Sequence, residues 1–277
     1  MSLTVSPSGQ SCGATVTGVD LSGELTAKLI ADIRAAWLQH KVLAFAGQQM
    51  DDDALERFTI AMGGFGEDPF FAPIKGRQNI AAILREADET SPLFAENWHS
   101  DWSFLAEPPS GTCLLAVDIP PTGGDTLFAN QIAAFNALTP ERQEFLRALT
   151  AIHSAQLAYA PDGSYGEKDT GRSMDIRPDQ SARATQTHSL VQRHPETGEE
   201  ALYSTLGYII GIEGMDQADA IALLSELAQW QSRDEFVYRH RWEPDMLVMW
   251  DNRSVLHKAT GGYEGHRREL HRTTIAA

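Results

Sequence analysis

The chain has 277 residues, a formal net charge of −16 and an apolar content of 42%, the composition of a soluble globular protein with a sizeable core. That charge argues against nucleic acid, whose phosphates require Lys and Arg, and against an anionic membrane surface. No run approaches the ~18 apolar residues of a membrane span, and Met1–Gly13 has neither a basic region nor an apolar signal region, so a cytoplasmic protein is expected. Cys12 and Cys113 lie too far apart for a disulfide framework or a paired-cysteine metal site.

In chain order, Ala14–Gly18 reads as a strand. Leu25–His40 follows with Leu29, Ile30, Ile33, Ala36 and Trp37 at helical spacing. After a strand at Lys41–Ala46, Asp51–Met62 opens with three carboxylates, which suit the positive end of a helix. Further strands are expected at Ile80–Leu84, Thr112–Asp118 and Thr126–Ala129. Thr139 and Pro140 form an N-cap and first helical position leading Arg142–Leu149. A strand at Ala151–Ser154 precedes a helix at Asp216–Gln231 with Ile221, Leu224, Leu227 and Ala228 on one face. Strands at Glu235–Tyr238 and Met246–Trp250 complete the pattern. Many short strands with turn signals predict a mainly β fold with helical supports, built on a double-sheet jelly roll. No repeat or linker interrupts the chain, so one domain over 1–277 is expected. Two irregular stretches, about 67–97 and 156–188, read as lid-like insertions.

The chemistry concentrates in Asn97-Trp98-His99-Ser100-Asp101-Trp102-Ser103-Phe104. In an extended strand His99 and Asp101 project to one side, where they can chelate one ion. His257 follows a predicted strand and the turn Asp251-Asn252-Arg253, which places it at a strand mouth as a third ligand. His266 and His271 are its competitors. Two imidazoles and a carboxylate suit iron(II) with an open face, and they suit zinc equally, so a zinc hydrolase shares this ligand set.

Asn97-Trp98-His99-Ser100-Asp101, Gly123-Gly124-Asp125-Thr126, Trp250-Asp251-Asn252-Arg253 with His257, and Arg267-Arg268-Glu269-Leu270-His271-Arg272-Thr273-Thr274 resemble the TauD/TfdA family. The resemblance spans nearly the whole chain. It implies a double-stranded β-helix (jelly-roll) core and an Fe(II)- and 2-oxoglutarate-dependent dioxygenase that hydroxylates a small organic substrate and releases succinate and CO2. It assigns His99, Asp101 and His257 to iron, and Thr126 and Arg268 to 2-oxoglutarate, with Arg267 as the neighbouring alternative to Arg268. O2 is the second co-substrate. A zinc hydrolase would leave Arg268 unexplained. A biosynthetic tailoring role, by hydroxylation or desaturation, is open within the family. Family members are often dimers or tetramers, so a homo-oligomer is expected.

Arg272 lies four residues beyond Arg268 and shares its face in a strand. The resemblance gives it a substrate's anionic group or the 2-oxoglutarate site. Taurine dioxygenase grips its sulfonate with a His and an Asn; here the corresponding region offers Phe70 or Phe71, and Ala95. Taurine is therefore disfavoured, since a site lacking hydrogen-bond partners rejects the ligand that needs them. Phe70, Phe71, Trp102 and Phe104 are expected to contact a bulkier, partly apolar and anionic substrate.

Overall fold

A computed structural model describes residues 3–277; Met1 and Ser2, the first residues of the N-terminal segment read above, lie outside them. A seven-stranded sheet runs in the order Thr4–Pro7, Ala14–Thr17, Val42–Phe45, Leu247–Asp251, Gly111–Asp118, Arg268–Ile275 and Ala81–Arg85. Its pairings are antiparallel except that Ala14–Thr17 runs parallel to Val42–Phe45. A second sheet orders Val237–His240, Thr126–Asn130 and Val255–Ala259.

Alternation along the central strands explains why the large sheet is covered on both faces. Leu43, Phe45, Cys113, Leu115, Leu247 and Met249 join Ile33, Trp37, Leu55 and Phe58 of two helices, Ala27–His40 and Asp52–Met62. Val42, Ala44, Leu114, Ala116, Val248 and Trp250 point the other way and pack with Phe128, Tyr238 and Val255 of the second sheet. Period-two side chains with both faces apolar read as continuous hydrophobic runs, which is how Lys41–Ala46 and Met246–Trp250 looked in the sequence. The result is a jelly-roll core with helices on its outer face.

The helix starts follow local chemistry. Thr26, Asp51 and Thr139 each accept a hydrogen bond from the backbone N–H three residues on, and Asp216 from the one two residues on. Several elements differ from expectation. Asp234–Phe236 is a 3₁₀ turn, and the strand begins at Val237. A third sheet orders Ile209–Ile212, Thr150–Ser154 and Thr185–Ser189, so the stretch 156–188 ends in a strand. Among the described residues, no helix is long and apolar enough to cross a membrane.

Candidate active site

His257 lies within the strand Val255–Ala259, not at its mouth. His99 reaches it through an isolated antiparallel bridge: each backbone N–H donates to the other's carbonyl, at 3.0 Å from His99 and 2.8 Å from His257. Asp101 is then turned inward by a bend, with Trp102 in the left-handed region at φ 52°. The expected extended strand over His99–Asp101 is thus replaced by one bridge and a turn. A positive φ on a bulky residue costs about 1–3 kcal/mol, offset here by packing of Trp102 against Phe71, Phe104 and Tyr159.

The three side chains converge. One ligand atom from each of His99, Asp101 and His257 lies within 4.8 Å of the others, and all three residues are buried. Nε2 of His99 and of His257 stand 3.6 and 3.7 Å from Asp101 Oδ1. His99 Nδ1 donates to the carbonyl of Asn97 at 2.9 Å. A carbonyl only accepts, so the proton sits on Nδ1 and the Nε2 lone pair is free toward the cluster. His257 is fully desolvated and beside His99, which pushes its pKa down to about 3 and keeps it neutral. Burial opposes ionisation of Asp101, but the polar imidazoles beside it, the Arg272 guanidinium and the hydrogen bond from Thr112 outweigh it and hold the carboxyl below its usual range.

A chain of hydrogen bonds fixes the carboxylate. Trp250 Nε1 donates to Asn252 Oδ1 at 2.9 Å, Asn252 Nδ2 donates to Thr112 Oγ1 at 3.0 Å, and Thr112 Oγ1 donates to Asp101 Oδ2 at 2.6 Å. An indole only donates and an ionised carboxylate only accepts, so every donor points toward Asp101. Neither Thr112 nor the side chain of Asn252 stands in a sequence pattern that marks it as support for Asp101.

The cluster opens into a cavity whose walls include Thr126, Tyr263, Arg268, Arg272 and Arg172. Arg268 is buried; among the described residues it has no carboxylate partner, donates only through Nη2 to the carbonyl of Gly124 at 3.1 Å, and has no partner for its Nε. Gly124, at φ 67°, is required here because a Cβ would meet Arg268 Nε at 2.9 Å. The competing residues lie elsewhere. Arg267 is on the surface with Glu86, Asp118 and Glu269. His271 is held by Asp52 and Glu269, and His266 takes no part in the metal cluster.

The expected substrate contacts fall differently. Arg272 lines the cavity, but Asp68 binds its Nε and Nη2 side bidentately, at 3.2, 2.8 and 2.7 Å. Phe70, Phe71, Trp102 and Phe104 are buried in an aromatic cluster with Tyr159 and line neither this cavity nor the one beside it. Their rings are drawn together behind Arg272, whose guanidinium sits 4.3 Å from the Phe71 ring and 4.9 Å from Trp102. Ala95 lines both cavities. The second cavity shares Phe94, Ala95 and His99 with the first and adds Leu157, Tyr159, Leu206 and Tyr208.

The profile of a family described as taurine catabolism dioxygenase TauD, TfdA family matches residues 4–274. The chain belongs to that family. The TauD, TfdA family relatives include an α-ketoglutarate-dependent sulfate ester dioxygenase of Pseudomonas putida, 32% identical over 100% of this chain and 90% of that protein. An α-ketoglutarate-dependent 2,4-dichlorophenoxyacetate dioxygenase of Cupriavidus pinatubonensis is 33% identical over 99% of this chain and 98% of its own. The solved structure of AAD-2 in complex with Mn(II) and N-oxalylglycine superposes with a TM-score of 0.82 at 26% identity, covering 100% of this chain and 98% of that one. The TauD, TfdA chain is thus a 2-oxoglutarate-dependent dioxygenase, an oxidoreductase that uses iron(II), 2-oxoglutarate and O2. The residues present fit those groups: two imidazoles and a carboxylate converge, and a buried guanidinium with no carboxylate partner among the described residues shares their cavity.

Proposed function

We propose that the enzyme hydroxylates a C–H bond of a small, anionic and partly apolar organic substrate, converting 2-oxoglutarate to succinate and CO2. One observation carries this reading: His99, Asp101 and His257 open into the same cavity as Arg268, which has no carboxylate partner among the described residues. In this reading His99, Asp101 and His257 hold iron(II), and Thr126 and Arg268 receive the distal carboxylate of 2-oxoglutarate. When bound, the metal and 2-oxoglutarate supply the oxidising power for O2 activation. The chain's own residues orient the reactants and exclude water.

The substrate's reacting carbon is proposed to approach from the second cavity, whose Phe94, Leu157, Tyr159 and Leu206 suit an apolar body. Both curated relatives are named for substrates that join an anionic group to an organic remainder, and Arg272 is the nearest match for that group here. Phe71 and Trp102 act through Arg272 by fixing its plane, and Phe70 and Phe104 belong to the aromatic cluster behind them. Taurine is disfavoured because Ala95 supplies no side-chain donor.

The chain is read as one catalytic unit over 1–277, with 67–97 and 156–188 as lids. These segments are stitched together: Ser173 N and Oγ donate to Glu89, Arg172 Nη2 donates to the carbonyl of Pro92, and Ala95 N donates to the Tyr165 hydroxyl.

The test is succinate release by Fe(II)-loaded protein against a panel of sulfate esters, sulfonates and phenoxyalkanoates. Substrate-dependent succinate that needs O2 and is lost in His99→Ala is the expected result, with one oxygen gained over the summed products: an alcohol, or, where the hydroxylated carbon bears the sulfate, sulfonate or ether oxygen, a carbonyl fragment with the released sulfate, sulfite or phenol. Absence of coupling to every member of the panel, or turnover with zinc and no 2-oxoglutarate, would overturn the proposal. A product lacking two hydrogens would replace hydroxylation by desaturation.

A further inference from the structure

We infer that Trp242 is a positioning residue for 2-oxoglutarate, acting by fixing the Thr126 hydroxyl as a donor toward the cavity; this rests on the assignment of Thr126 and Arg268 to the distal carboxylate. Trp242 lies two residues beyond the strand Val237–His240 and is buried. Its Nε1 donates to Thr126 Oγ1 at 3.0 Å. An indole N–H can only donate, so one acceptor site of the hydroxyl is taken. Among the described residues, Thr126 Oγ1 makes no other hydrogen bond. Its proton is therefore left for an acceptor in the cavity that Thr126 lines. A carboxylate is acceptor-only and matches such a donor.

The same indole supports the other half of the site. The Arg268 guanidinium carbon lies 5.8 Å from the Trp242 ring and 5.8 Å from the Tyr263 ring. The two rings flank the cation while its Nε remains without a partner. His240 packs edge-on against the indole with ring centroids 5.0 Å apart, and His240 is the cross-strand partner of Thr126. Trp242 is thus wedged by His240, on the strand paired with the one that presents Thr126. One side chain sets the donor direction of the hydroxyl and forms one wall for the guanidinium, so both carboxylate partners are pre-oriented before the ligand arrives.

The test is calorimetric titration of Mn(II)-loaded protein with N-oxalylglycine, which has a distal carboxylate, and with oxalate, which has only a metal-binding end. Trp242→Phe should weaken N-oxalylglycine roughly tenfold, the scale of one charge-assisted hydrogen bond, and leave oxalate within about twofold. Thr126→Val should match it, and the double variant should be no weaker than either single one. Additive effects in the double variant, equal loss for both ligands, or unchanged N-oxalylglycine binding in Trp242→Phe would each overturn the inference. If Trp242→Phe does not fold, Trp242→Tyr, which also lacks an N–H at this position, carries the same comparison. Arg268→Ala separates the two levels: wild-type N-oxalylglycine affinity in that variant sinks the cosubstrate assignment itself, whereas weakened binding there with an additive Trp242 effect sinks only the role of Trp242.

Discussion

Asp68 holds Arg272 by a bidentate ion pair through Nε and Nη2, and no hydrogen bond is formed to Nη1 among the described residues. The arginine is thereby oriented, its charge is matched, and one edge is left toward the cavity it lines. Asp68→Asn removes the competing charge while keeping a similar shape. It should raise kcat/KM for anionic substrates by about tenfold, a shift of ~1.4 kcal/mol, and leave uncharged analogues unaffected. Succinate release across matched anionic and neutral substrates measures this. An equal change for both kinds would show that Asp68 acts on packing alone.

Thr112 donates to the one oxygen of Asp101 that faces away from the histidines, and Asn252 and Trp250 hold that donor in line. Outer partners of this sort set ligand orientation and typically contribute 10–100-fold in metal affinity, roughly. Thr112→Val should weaken Mn(II) or Fe(II) binding on that scale, with the fold intact. Competition titration against a chelator reads it directly. Affinity equal to wild type would remove Thr112 from the site's support.

Gly124 stands at φ 67°, and a Cβ there would lie 2.9 Å from Arg268 Nε. Gly124→Ala incurs about 1–2 kcal/mol for the left-handed backbone and displaces the guanidinium as well. Stability should fall modestly, while N-oxalylglycine binding to the Mn(II) form should fall by roughly tenfold or more. Thermal melting and calorimetry together separate the two effects. Unchanged ligand affinity would mean that Arg268 is free to shift without consequence.

The parts of this molecule that follow local rules were legible in the sequence. Thr26, Asp51, Thr139 and Asp216 announce helix starts because a capping side chain acts within three residues. Val42–Phe45 and Leu247–Asp251 show as apolar runs because both faces are covered. Thr185–Ser189 stays hidden: it is polar, and its side chains alternate between half-buried and exposed. Arg268–Ile275 carries buried arginines whose burial depends on partners far away, such as Asp68 and Gly124. The convergence of His99, Asp101 and His257 was readable by spacing and resemblance, but its support was not. Thr112 and Asn252 are 140 residues apart, and neither has a sequence pattern that links it to Asp101. Phe70, Phe71, Trp102 and Phe104 look alike as substrate contacts or as core until Arg272 is seen stacked against two of them.

Two histidines outside the metal cluster make the acid stability of the fold predictable. His153 is fully buried, donates or accepts through Nδ1 with Ser103 at 3.0 Å, and leaves Nε2 without a partner among the described residues. Burial, with His188 nearby, pushes its pKa from 6.5 down to about 3. Burial likewise lowers His240 to about 4, with Arg268 helping and Asp125 opposing. Below the ordinary 6.5 the unfolded chain takes up these protons, whereas the folded chain refuses them until about 3 and about 4. The unfolded state therefore binds more protons across that window, and stability falls as pH drops through it. Each group adds a slope of up to about 1.4 kcal/mol per pH unit. In His153→Gln the metal-free protein should lose that much less stability per unit between pH 6 and pH 4, roughly, once the carboxylate contribution common to both proteins is subtracted. Denaturant midpoints at several pH values give the comparison. Parallel curves for the two proteins would show that His153 is already protonated in the folded state, with its unpartnered Nε2 satisfied from elsewhere.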